Sequence, residues 1–85
     1  METPQSLTRS MLTDWLKTEI QAQTGQRVDE HQSFSALGLD SVAAVALSGD
    51  LEARFGLELD PTVMFEYTTL AALLDYLQLE GLIQA

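Results

Sequence analysis

Apolar residues recur along this chain at helical spacing in three places. From Leu7 they fall at Met11, Leu12, Trp15, Leu16 and Ile20, one stripe of an amphipathic helix. Arg9, Asp14, Lys17 and Glu19 fall mostly elsewhere on that helix. Ser6, after Pro4, is the expected cap, and Gly25 the expected stop. A second pattern runs from Ser41 to Phe55 and ends at Gly56. Its inward face is Ala44, Leu47, Ser48, Leu51 and Phe55. Val42, Val45, Ala46 and Gly49 form a second apolar sector, extended by Asp50, Glu52 and Ala53. One core needs only one such face, so the second sector is either a contact surface or ordinary exposed apolar area. A third stripe, Leu70, Leu73, Leu74 and Leu77, follows Thr68 or Thr69 as cap and precedes Gly81.

Between these helices the pattern weakens. Gln26 to Leu39 has no sustained period, and a connection of that length is expected to be functional or pinned to the core. Val28, Phe34 and Leu37 are the expected pins, with one helical turn over Ser33 to Ala36. Asp60-Pro61 predicts the start of a short helix over Pro61 to Phe65, because an acid caps and proline suits the first helical position. Leu57 and Leu59 lead into it as an extended link. Leu82 and Ile83 are expected to lie in a tail. The predicted fold is all-α: a small four-helix bundle with three longer helices, one short helix and a long first loop.

Composition narrows the chemistry. With 85 residues and no cysteine, stability must come from helix packing, and no thiolate is available as ligand or nucleophile. Thirteen acidic residues against four basic ones give a net charge of −9, which repels phosphate backbones and anionic membranes. Nucleic acid and membrane are therefore not expected partners, and basic protein surfaces are favoured. No apolar run reaches membrane-spanning length, and no basic stretch followed by an apolar one marks a secretory signal, so a cytoplasmic setting is expected. The nucleophile elbow, the phosphate loop, the zinc-protease motif and the calcium loop are all absent. Trp15 reads as core packing. His31 is a lone loop histidine with nothing to orient it. No catalytic residue and no metal ligand is predicted.

Ser41 is the remaining chemical handle. Asp40 and Ser41 both suit a helix cap, which is the ordinary explanation of such a pair. The same position also suits a phosphate-linked modification. A helix start favours an anion by about 0.3–1 kcal/mol, and Gly38 keeps the preceding turn open.

At these residues the sequence resembles the acyl carrier protein family. Phe34-Ser35-Ala36-Leu37-Gly38-Leu39-Asp40-Ser41 looks like its F-x-x-L-G-x-D-S signature, and Asp60 to Leu70 looks like the segment before the last helix in polyketide synthase carrier domains. The resemblance covers about Leu7 to Leu77. It implies a flexible start over residues 1–5, a carrier domain over 6–80 and a tail over 81–85. It further implies a 4′-phosphopantetheine arm on Ser41, added from coenzyme A by a separate phosphopantetheinyl transferase. Acyl groups would travel on that arm as thioesters, and the carrier itself would catalyse nothing.

Implied partners are the transferase, ketosynthase, acyltransferase and other acyl-processing enzymes. They would read Asp40, Val42, Val45, Gly49, Asp50 and Glu52 on a monomeric domain. Ala43, Ala46 and Ala53 replace much of the acidic outer face that fatty-acid carriers show. That shifts weight to a polyketide or mixed polyketide–peptide pathway and to apolar docking. The alternatives are a peptidyl carrier of nonribosomal synthesis and an unmodified helical adaptor.

Overall fold

A computed structural model describes residues 7–85. It contains four helices: α1 (Arg9–Thr24), α2 (Ser41–Phe55), α3 (Val63–Glu66) and α4 (Leu70–Leu79). Three long helices, one short one and a long first connection make the four-helix arrangement that the apolar pattern predicts.

α1 buries Leu12, Leu16 and Ile20, three residues at four-residue spacing on one face. Trp15 is half-buried beside them and meets Phe55 of α2 edge-on, with ring centroids 5.3 Å apart. Met11 is exposed, because it sits at the edge of the stripe where nothing packs over it. The expected cap, Ser6, lies outside the described residues. Within them the cap is Thr8, whose hydroxyl accepts the Met11 N–H at 3.2 Å.

α2 has the predicted bounds. Ala44, Leu47, Ser48 and Leu51 face inward, and Phe55 is half-buried at the end of that face. Ser48 is the buried polar residue among them, and its hydroxyl donates to the Val45 carbonyl at 2.8 Å. α4 buries its expected stripe of Leu70, Leu73, Leu74 and Leu77, with Thr69 as cap. Each leucine so buried contributes about 1.5–3 kcal/mol, and together they form the centre of the core. α1 and α4 pack against each other and are joined at the surface by Arg9, which pairs with Asp75 at 2.7 Å. No helix among the described residues is long and apolar enough to cross a membrane.

Two expectations need correction. The short helix begins at Val63, not Pro61. Asp60 caps a turn instead of the helix: its carboxylate accepts both the N–H and the hydroxyl of Thr62, and its carbonyl accepts the Val63 N–H. The segment after Gly81 is also not a loose tail. Gly81 has φ +78 and closes α4 with the Leu82 N–H on the Leu77 carbonyl. Ile83 then returns to the core, 4% exposed. Gln84 pairs with the start of α1: its N–H donates to Leu7 at 3.0 Å, and its carbonyl accepts from Arg9 at 2.7 Å.

Candidate functional site

The first connection delivers Ser41 to its place. Phe34, Leu37 and Leu39 are all buried, and Val28 is half-buried against the core. Main-chain bonds stitch the same segment to the start of α4. Phe34 N–H donates to the Thr68 carbonyl at 2.8 Å, and Ala71 N–H donates to the Glu30 carbonyl at 2.9 Å. Glu30 also pairs with Lys17 of α1 at 2.9 Å. The expected turn at Ser33 is present: its carbonyl accepts from Leu37 at 3.0 Å and its hydroxyl from Ala36 at 3.0 Å. The chain reverses at Gly38, which has φ +100, a conformation that a side chain would strain. His31 stays exposed on this loop.

Asp40 then adopts an extended conformation and caps α2, its carboxylate accepting the Ala43 N–H at 2.8 Å. Its carbonyl takes the Ala44 N–H at 2.9 Å. The two residues of the Asp40-Ser41 pair take different places at this helix start. Asp40 does the capping. Ser41 is the first helical residue and is exposed, and its hydroxyl makes no hydrogen bond among the described residues. The Ser41 and Val42 N–H groups likewise have no acceptor there, so the helix start can receive an anion attached at Ser41.

Two clefts meet at this serine. One, of about 420 Å³, has Phe34, Leu39, Ala44 and Met64 as its floor and Ser33, Asp40 and Thr68 at its rim. The other, an open apolar groove of about 480 Å³, is formed by Val42, Val45 and Ala46. Phe65 of α3, 46% exposed, borders both, as does Ser41. Ser41 thus has a sheltered cleft on one side and an open groove on the other.

The residues expected to be read by partners divide into two groups. Val42 and Val45 are 76% and 43% exposed, and Gly49, Asp50, Ala46 and Ala53 are exposed with them. The central outward strip of α2 therefore carries small and apolar side chains. Glu52 differs. It is half-buried, and its carboxylate accepts the Leu59 N–H at 2.8 Å, so its charge is engaged by the following loop. The sequence pattern missed this bond because it depends on the loop's path, although an acid on the flank of α2 just before a turn was a signal for it.

Together these features define a class: a small helical domain with an exposed serine at a helix start and an exposed apolar strip beside it. The sequence model for the phosphopantetheine attachment site matches residues 14–77. The crystal structure of a free-standing peptidyl carrier protein from an uncharacterized secondary metabolic pathway of Acinetobacter baumannii superposes with a TM-score of 0.75. It is 34% identical over 87% of this chain and 96% of its own. Among curated proteins, the mycoketide-CoA synthase of Mycobacterium tuberculosis is 32% identical over 81 residues, covering 91% of this chain. Polyketide synthase GfsB of Streptomyces halstedii is 34% identical over 77 residues, covering 86% of it. The chain spans only 2% and 1% of the length of those two synthases. The chain belongs to the phosphopantetheine-binding carrier family, whose members bear a covalently attached 4′-phosphopantetheine.

Proposed function

We propose that Ser41 is the attachment residue and that the chain carries acyl intermediates of polyketide assembly between partner enzymes. The observation that supports this most directly is the free Ser41 hydroxyl: exposed, at a helix start, and relieved of capping by Asp40. A transferase would move the phosphopantetheinyl group of coenzyme A to that oxygen. The pyrophosphate bond breaks, a phosphodiester forms, and adenosine 3′,5′-bisphosphate leaves while the serine proton passes to the transferase. The arm's terminal thiol supplies the thioester chemistry that a chain without cysteine lacks. This chain's own part is to hold the phosphodiester at the start of α2, with Asp40 keeping the helix end in register.

The chain needs no catalytic apparatus for this role, and among the described residues none is hydrogen-bonded to the Ser41 hydroxyl. The coenzyme A donor fits a cytoplasmic setting. Polyketide assembly is favoured by the names of the two synthases, and the exposed Val42, Val45 and Gly49 fit an apolar docking face for ketosynthase or acyltransferase partners. Asp40 and Asp50 would set charge at its edge. The peptidyl carrier from Acinetobacter baumannii supports a second reading, in which the cargo is aminoacyl.

The test is intact mass after incubation with coenzyme A, magnesium and a broad-specificity phosphopantetheinyl transferase. Wild type should gain one phosphopantetheine increment, and Ser41→Ala should gain none while melting at the same temperature. A wild type that stays unmodified, or an increment on Ser41→Ala, would refute the assignment.

A further inference from the structure

The outward strip of α2 accounts for docking, but one acid on that helix is turned to another task. Glu52 holds the α2–α3 turn at two points. Its carbonyl accepts the Gly56 N–H at 2.8 Å, and its carboxylate accepts the Leu59 N–H at 2.8 Å. A carboxylate on a backbone N–H is a charge-assisted bond, stronger than a neutral one. Without it the Leu59 N–H, in a half-buried stretch, would lose its partner.

The segment held this way leads directly to the site. Leu57 and Leu59 pack against the core, Asp60 makes its turn, and α3 follows. α3 has four residues and no side-chain cap, too short to fix its own orientation. It is placed by Val63 and Met64 in the core and by the loop that enters it. Its Phe65 is the wall shared by both clefts at Ser41. Glu52 lies eleven residues after Ser41, about 16 Å along the helix, and acts on the site only through this loop.

We infer that Glu52 is a positioning residue: by clamping Leu59 it sets where α3 and Phe65 stand relative to Ser41, and so how well the transferase engages the serine. This rests on Ser41 being the attachment site. It also reassigns Glu52 from a charge that partners read to a brace that partners never touch. What matters is then an acceptor oxygen at the right reach, not a negative charge. Glutamine supplies such an oxygen, whereas aspartate keeps the charge but is one methylene too short.

The experiment uses wild type with Glu52→Gln, Glu52→Asp and Glu52→Ala. It measures KM and kcat for transferase loading, hydrogen-exchange protection of the Leu59 amide, and the ring resonances of Phe65. Glu52→Gln should keep KM, kcat and the Phe65 resonances at wild-type values, with Leu59 protection weakened but not lost, because a neutral amide oxygen makes the weaker bond. Glu52→Asp and Glu52→Ala should raise KM for the carrier about ten-fold, less than the roughly hundred-fold that a 1 Å misplacement can cost. Their kcat should stay within about two-fold, with Leu59 protection lost and the Phe65 ring shifted. If Glu52→Ala fails to fold, the Gln and Asp variants decide the matter alone. Glu52→Gln impaired as much as Glu52→Asp would mean that charge is read, and would overturn the proposal. So would Glu52→Asp with wild-type KM and unmoved Phe65 signals. Failure of the Ser41 assignment shows separately, as no loading of wild type, and the Leu59 and Phe65 signals then still test the brace.

Discussion

Two substitutions on α2, two residues apart, test the assignment of its faces. Leu47 is fully buried, and Val45 is 43% exposed on the opposite side. Leu47→Ala removes three carbons from the core. At about 0.8 kcal/mol per buried methylene the transfer loss is about 2.4 kcal/mol, and the cavity left behind raises it toward 3–4 kcal/mol. A domain of 85 residues has about 4–13 kcal/mol of stability in all, so this is a large share. The corresponding fall in Tm is about 12–30 °C. Val45→Asp leaves the core intact and adds a solvated charge, so its cost should stay within about 1 kcal/mol. The same variant places a carboxylate in the apolar groove beside Ser41 and should slow acyl transfer to a partner enzyme. Thermal unfolding followed by circular dichroism gives the first comparison, and a reconstituted transfer assay the second. Comparable losses of Tm for the two variants would refute the two-faced reading of α2. Unchanged transfer by Val45→Asp would refute the docking role of that face.

Further outcomes follow from the turns that frame the site. Gly38→Ala should cost about 1–3 kcal/mol in urea unfolding, because alanine at φ +100 is strained although Thr24 leaves room for a methyl group. The Asp60 carboxyl is held below its ordinary value of 3.8, first by the Thr62 hydroxyl and then by the Thr62 N–H. A depressed folded value gives stability above pH 3.8 that fades as pH falls through the folded value. Asp60→Ala should therefore melt lower than wild type near pH 6, and the gap should shrink below pH 4. At the other extreme, burial and then the neighbouring Glu80 push the Tyr76 phenol above its ordinary 10.0. Stability should fall as pH rises through that range, and Tyr76→Phe should blunt the fall, read by melting between pH 8 and pH 11.

Much of this fold is legible as periodicity and punctuation. α2 is an example: an acid at Asp40, an inward set at helical spacing, and a glycine at Gly56 are all local signals, and its bounds come out as the pattern predicts. What escaped was decided by particular hydrogen-bond pairings, some local and one between the two ends of the described chain. Asp60-Pro61 has the composition of a helix start, yet Thr62 offers both an N–H and a hydroxyl, and the acid takes them to build a turn first. Ile83 has no periodic partner nearby, and it is buried because Gln84 pairs with Leu7 and Arg9 at the other end of the chain. Glu52 falls on the edge of an outward sector, and only the path of the next loop shows that its carboxylate is engaged. At the site, the division of labour between Asp40 and Ser41 needed coordinates, since either residue type can cap a helix.

The pairing of Gln84 with Leu7 and Arg9 has a mechanical consequence. It brings the first and last described stretches together at the foot of α1. Ser41 stands by the far end of that helix, where Gly38 lies against Thr24. Sixteen residues of α1 separate the two poles by about 24 Å. Any polypeptide joined on either side would therefore grip the domain at one pole and leave the serine at the other. Such a domain hangs like a pendant from a single point. Held that way, the domain would present its Ser41 pole away from the flanking chain.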